Sequence, residues 1–137
     1  MTTSERERGS MAVEMVILAP VMLAFVLLVV ACGRYVAVRG DIEAASRDAV
    51  RAASLERSAG KASAAADRVA AVAVEHPERC APAELTGDFG PGGTITVTIS
   101  CDVSYAGLGL LGLPGSKRVS ASSSAPLDTH KSFDDET

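Results

Sequence analysis

Residues 15–33 read MVILAPVMLAFVLLVVACG and contain no charged side chain. At about 1.5 Å of rise per residue, a helix of this length spans roughly the 30 Å of a bilayer's hydrocarbon core. The rest of the 137-residue chain has few large apolar residues with which to cover such a helix. The stretch therefore predicts a single transmembrane helix over residues 10–33, surrounded by membrane lipid, with Glu14 at its upstream edge.

Outside this stretch the chain is rich in Ala, Ser, Gly and Thr, with 4% aromatic residues and no Trp. A domain with so little apolar surface to bury is marginal alone, so a crosslink, an anchor or neighbouring subunits must stabilise it. The net charge is −4, and both signs are interspersed. Without a basic stripe or an aromatic platform, the sequence indicates no binding of nucleic acid.

The start of the chain resembles the N-terminal segment of TadE-like proteins, the minor pseudopilin-like components of tight-adherence pili. The resemblance covers Arg8 to about Ala53 and depends on GSMAVE (residues 9–14), on Pro20 and on the span. It implies that a membrane prepilin peptidase cleaves the Gly9–Ser10 bond, and that Glu14 pairs with the N-terminal amine of a neighbouring subunit. It also implies a structural role in assembling a tight-adherence pilus or a related secretion apparatus, with other pilin subunits and the assembly platform as partners.

The carboxylate of Glu14 is informative on energetic grounds as well, apart from the resemblance. A lone carboxylate at mid-bilayer costs roughly 2.5 to 3.5 kcal/mol on insertion scales, so such groups usually face a partner or mark a function. The alternative is that Glu14 lies at the membrane interface, where its cost is low. Ser10 departs from many prepilins, which carry a large apolar residue after the cut, and this leaves open whether the bond is cleaved.

Pro20 and Cys32, both within the apolar stretch, lead to two further predictions. Pro20 removes a backbone donor and predicts a bend in the helix. Val29 to Cys32, followed by Gly33, fits the loose pattern of a lipoprotein cleavage box. Cleavage before Cys32 would instead give a lipid-anchored extracytoplasmic binding module, although the apolar run exceeds the usual signal core of about 7 to 15 residues.

The orientation of the span follows from several weak signals. Arg6 and Arg8 precede it, and a larger number of basic residues follows, namely Arg34, Arg39, Arg47 and Arg51. This count alone favours a cytoplasmic C-terminal side, but long domains translocate largely regardless of charge. With the resemblance and the cysteine usage, we predict a plasma-membrane protein with a cytoplasmic leader (1–9), an extracytoplasmic domain (34–125) and a disordered tail (126–137).

Beyond the span, the sequence predicts an α+β domain. The helix is expected to continue with a narrow stripe facing either other subunits or the domain's own sheet: Tyr35, Val38, Ile42, Ala45, Ala49 and Ala52. Gly60 interrupts it, a second helix covers 62–75, and the Pro- and Gly-rich residues 76–93 form a loop. Residues 94–105 alternate as a strand and pair antiparallel with residues 117–125, which gives a small hairpin or sheet packed on helix.

The two cysteines outside the span are predicted to form a disulfide. Cys80 lies in the loop and Cys101 on the apolar face of the strand, and closing about 20 residues contributes roughly 3 kcal/mol in the chain-entropy model. An exported domain with a thin core is where such a crosslink is expected. A zinc site would need more ligands than these cysteines and His76 supply.

No pattern in the sequence indicates catalysis. The two histidines lie in the predicted loop and tail, and GxSxG and HExxH motifs are absent. GLGLLG (residues 107–112) matches a dinucleotide-binding fingerprint, but Pro114 stops a helix from following it; the crowded leucines predict an apolar loop that touches membrane or a partner. We therefore predict a protein that is not an enzyme, with no cofactor, no metal and no small-molecule substrate.

Overall fold

A computed structural model of the protein describes residues 3–104, 115–130 and 132–133. Helix α1 covers Thr3–Leu55 and helix α2 covers Ala59–Ala73, followed by a 3₁₀ turn at Pro77–Arg79. The strands are β1 (Glu84–Gly87), β2 (Thr94–Ser104) and β3 (Ser116–Pro126). The predicted α+β class is confirmed. The chain divides into two units at the Arg34–Tyr35 bond, and α1 runs through both.

In the second unit, α1 buries one side against the domain's own sheet. Its buried side chains recur at helical spacing and are Ile42, Ala45, Ser46, Ala49, Val50 and Ala53. The hydroxyl of Ser46 lies 2.8 Å from that of Ser123 on β3, which fixes this side of the helix on the sheet. Of the two interpretations of the stripe, packing within the domain is therefore correct and packing against other subunits is wrong. The stripe also ends on Ala53, because Ala52 is only half buried.

Helix α2 begins earlier than its sequence predicts. The hydroxyl of Ser58 caps it by accepting a hydrogen bond from the backbone N–H of Lys61, at 3.4 Å. The break between the helices therefore falls before Ser58, and Gly60 lies inside α2, contrary to the prediction. The buried face consists of alanines only, namely Ala62, Ala65, Ala66 and Ala70. Such small side chains let α2 approach its neighbours closely, and the helix ends at Ala73, two residues before the predicted end.

The three strands form one antiparallel sheet in the order β1-β2-β3. The predicted pairing of β2 with β3 is confirmed, with Ile95 opposite Ala125 and Ser104 opposite Ser116. The alternation of β2 is also confirmed, since its buried residues are Ile95, Val97, Ile99 and Cys101. The other face carries Thr and Ser. Tyr105 and most of the connection between β2 and β3 lie outside the described residues, so the membrane or partner contact predicted for that loop stays a prediction.

Strand β1 corrects the prediction that all of residues 76–93 form a loop. It pairs with β2 from Glu84 opposite Thr98 to Gly87 opposite Ile95. Gly87 has φ +112°, and a Cβ there would lie 2.3 Å from the carbonyl oxygen of Thr94, so only glycine fits this turn. On the other side of β1, the carboxylate of Asp67 accepts the backbone N–H of Ala83 at 2.7 Å. These tertiary contacts hold a strand that has almost no local signal.

The predicted disorder of residues 126–137 does not hold at the start of that segment. Pro126 ends β3, and Leu127 is only 4% exposed, with its N–H donating to the carbonyl of Gly93 at 2.8 Å. Further on, the ring of Phe133 meets that of Phe89 edge to face, with centroids 5.5 Å apart. Leu127 and Phe133 therefore pack on the domain.

The core lies between the sheet's inner face, the second part of α1, and α2. Its largest fully buried side chains are Ile42, Ile95, Ile99, Val97 and Ser46. Most of the remaining core residues are alanines, as the composition indicates. The domain therefore depends on close approach of its elements more than on large apolar side chains.

Ser46 and Ser123 are expected to be energetically coupled. Ser46→Ala leaves the hydroxyl of Ser123 without its partner in a partly buried place and should lower the free energy of unfolding by about 1 kcal/mol. A double-mutant cycle with Ser123→Ala, measured by denaturant unfolding of the solubilised full chain, should give a coupling of about 0.5 to 1.5 kcal/mol. Ser120→Ala, on the exposed face of β3, is the control, and a coupling of zero would contradict the role of this contact.

Candidate functional site

The first part of α1 exposes an unusually large apolar surface. Thirteen of its large apolar side chains are at least 50% exposed: Val13, Met15, Val16, Ile17, Leu18, Val21, Met22, Leu23, Phe25, Val26, Leu28, Val29 and Val30. A window of this helix reaches a mean hydropathy of 3.0 with none of it buried. Among the described residues, α1 is the one helix long and apolar enough to cross a membrane. A soluble protein would not leave such a surface in water.

Glu14 belongs to one face of this helix. At about 100° per residue, the residues of the apolar stretch within roughly 40° of its direction are Leu18, Val21, Phe25, Leu28 and Cys32. Glu14 and Cys32 are both exposed, so the face begins with a carboxylate, ends with a thiol and is apolar between them. A neighbouring helix that packed along this face would contact Glu14 at one end of the face and Cys32 at the other.

The Gly9–Ser10 bond lies within α1, one helical turn before Glu14. The backbone nitrogen of Ser10 is therefore about 6 Å along the helix axis from the level of Glu14. Pro20 also lies within α1, where it leaves the carbonyl of Val16 without its usual backbone donor. The bend at Pro20 stays a prediction, as do cleavage at Gly9 and the pairing of Glu14.

The second unit contains a disulfide between Cys80 and Cys101, with a sulfur–sulfur distance of 2.01 Å. Cys80 directly follows the 3₁₀ turn, and Cys101 lies on the inner face of β2. The bond ties the segment before β1 to the central strand. His76 is exposed and contacts Glu78 at 3.2 Å, and no group of three metal-ligating side chains occurs in the described ranges.

A groove of about 640 Å³ lies between the end of α1 and α2. It is lined by Asp48, Ala52, Leu55, Glu56, Ala65, Arg68, Val69, Val72 and Ala73. The guanidinium of Arg68 donates to the carbonyl of Ala64 at 3.3 Å. This lining contains no thiol, hydroxyl or imidazole, and its ionisable groups are Asp48, Glu56 and Arg68.

One contact near the end of the span has no signal in the sequence. The ammonium of Lys117 on β3 lies over the ring of Tyr35, 5.7 Å from the ring centroid. Tyr35 is the first aromatic residue after the uncharged run, but Lys117 reaches it only because the register of β3 places that end of the strand beside α1. No local pattern could have shown this.

Comparison with known proteins supports the resemblance drawn from the N-terminal residues. The family model of TadE-like proteins matches residues 9–51. Neither the curated proteins nor the solved structures include a match to this chain. The family match begins at Gly9, includes Glu14 and Pro20, and continues past the apolar stretch into the second unit. It confirms the resemblance and identifies residues 9–51 as a TadE-like segment.

Proposed function

We propose that this protein is a membrane-anchored, pseudopilin-like subunit in the assembly of a tight-adherence pilus or a related secretion apparatus. The TadE-like match implies a role in tight-adherence pilus assembly, and that family is structural and not enzymatic. The observation that carries the finer role is the exposed apolar part of α1 with Glu14 at its start. That arrangement suits a helix that sits in lipid and associates with other helices there.

The proposed topology places residues 1–9 in the cytoplasm, residues 10–33 in the plasma membrane and the α+β domain outside. The Cys80–Cys101 disulfide supports this direction, because disulfides persist in oxidising compartments and are rare in the cytosol. The basic residues after the span do not oppose it, since long domains translocate largely regardless of charge.

In the proposed assembly, Glu14 contacts a neighbouring subunit. Cleavage at Gly9–Ser10 would place a new ammonium group one turn before this carboxylate. Two parallel helices staggered by one turn, about 6 Å, would then bring the amine of one subunit level with Glu14 of the next. Opposite charges attract strongly at low dielectric, so this register would be favoured over its neighbours.

The proposed partners are other pilin or pseudopilin subunits, the assembly platform and a prepilin peptidase. The alternative of a lipoprotein cleaved before Cys32 receives no support. Such a cut would remove residues 1–31 and with them about half of the segment that matches the family. It would also divide α1, which continues without interruption through Cys32.

The intact mass of the mature protein, purified from host membranes, tests the proposed processing. We expect a chain that starts at Ser10. Gly9→Val places a branched side chain at the scissile bond and should give a chain that starts at Met1. Gly33→Val is the matched control and should leave cleavage unchanged, because a Cβ at Gly33 meets nothing within 4 Å.

Two results would contradict this proposal. A wild-type chain that starts at Met1 would show an uncleaved anchor, and an acylated chain that starts at Cys32 would show a lipoprotein.

A further inference from the structure

The side chain of Lys117 lies beside Tyr35, just after the end of the apolar stretch. Its ammonium lies 5.7 Å from the centroid of the Tyr35 ring, within the usual range of a cation–π contact. Tyr35 comes two residues after Gly33, the last residue of the uncharged run. Strand β3 thus places a positive charge, from a distant part of the sequence, beside Tyr35, the first aromatic residue after the span.

Other cations lie close to Tyr35 on α1. Arg34 directly precedes it in the chain, Arg39 follows one helical turn later, and both are exposed. Arg118 differs, because its guanidinium lies 3.4 Å from the carboxylate of Asp102. The nearby acidic residues are Asp41 and Glu43, and Glu43 pairs with Arg47 at 3.4 Å.

The local charge is therefore opposite to that of the whole chain, which carries a net −4. We call Tyr35, Arg39 and Lys117 the juxtamembrane collar. An aromatic ring flanked by cations suits the boundary between hydrocarbon and headgroups, where tyrosine is enriched and where lysine and arginine meet phosphate.

We propose that the juxtamembrane collar binds the phosphate headgroups of anionic phospholipids. Tyr35 positions Lys117, and Lys117 and Arg39 together neutralise the lipid charge. The proposal depends on the apolar stretch lying in a bilayer, but it requires no pilus component. Each cation near an anionic surface is expected to strengthen this contact about fivefold at moderate salt.

A tryptophan reporter tests the proposal. The chain has no native Trp, so Ser116→Trp, at an exposed position next to Lys117, gives a single signal. The full chain is reconstituted into vesicles of phosphatidylcholine alone or with 30% phosphatidylglycerol, and emission is quenched with brominated lipid of the same headgroup. We expect quenching that increases about fivefold with phosphatidylglycerol and weakens between about 0.15 and 0.5 M salt.

Charge reversals locate the effect. Lys117→Glu in the reporter chain should abolish the dependence on phosphatidylglycerol, and the milder Lys117→Gln should retain part of it, because the other cation remains. Arg51→Glu makes the same charge change on an exposed position of α1, about 24 Å further along the helix from Tyr35, and should behave like the parent. Circular dichroism and an intact disulfide establish that each variant is folded.

Equal quenching in the two kinds of vesicle would overturn the proposal, as would an equal effect of Arg51→Glu and Lys117→Glu. A chain that inserts into vesicles but shows no quenching rejects the collar and leaves the span intact. A chain that fails to insert rejects both the collar and the membrane anchor of the proposed function.

Discussion

Replacing Glu14 with glutamine is expected to weaken association between subunits in the membrane on the order of 100-fold while leaving membrane insertion intact. The neutral amide enters lipid more easily than the carboxylate but, under the proposed pairing, cannot neutralise the amine of a neighbouring subunit. That amine would then be an unpaired charge in a medium of low dielectric, at a cost of roughly 2.5 to 3.5 kcal/mol on insertion scales. Energy transfer between labelled, processed subunits in vesicles of known protein content measures the loss.

The matched control for this prediction is Glu43→Gln on the same helix. Glu43 is exposed and pairs with Arg47 one turn away, and surface pairs of this kind contribute about 0 to 1 kcal/mol. Association should therefore be unchanged in this variant. If Glu14→Gln associates as well as the wild type, Glu14 lies at the interface without a partner, and the proposed pairing is wrong.

Removing the Cys80–Cys101 disulfide is expected to have the largest effect on stability. The two residues are separated by 21 positions, and the chain-entropy model gives a loss of about 3 kcal/mol for a loop of this size. For a domain of roughly 100 residues, that loss lowers the Tm by about 12 to 24 °C. The effect is a large fraction of the total stability because eight of the seventeen buried hydrophobic residues are alanines, which bury little apolar surface.

Thermal unfolding of the Cys80→Ser/Cys101→Ser double variant, in the solubilised full chain, measures this change. Cys32→Ser is the control, since Cys32 is an exposed free thiol outside the α+β unit. Adding reductant should lower the Tm of the wild type and leave that of the double variant unchanged. A shift of less than about 3 °C would show that packing, and not the crosslink, stabilises the domain.

Much of the fold could be predicted from the sequence, because strong periodicity is a local property. The uncharged run after Glu14 has the length and hydropathy of a span. Ile95, Val97 and Ile99 alternate with Thr and Ser, which defines a strand with one buried face. The TadE-like resemblance could also be drawn from a few positioned residues, namely Gly9, Glu14 and Pro20, and the family match confirms it.

Strand β1 could not be predicted in the same way. Its sequence ELTG contains a single large apolar residue and lies among prolines and glycines, so it has no alternation. Its conformation depends on pairing with β2 and on the hydrogen bond from Ala83 to Asp67. The packing of Leu127 and Phe133 could not be predicted either, because isolated apolar residues in a polar segment give no sign of which residues they will contact.

By itself, the sequence determined which residues are too apolar for water and that β2 has one buried face. Both follow from neighbouring residues, since hydropathy and the alternation of apolar and polar side chains are local properties. Only the tertiary structure decided that the stripe on α1 packs on the domain's own sheet, through Ser46 and Ser123, and that Lys117 lies over Tyr35. Those contacts join residues far apart in the chain. They depend on the register of β3 and on the close approach that small side chains allow. Neither the register nor the close approach can be inferred from a local sequence pattern.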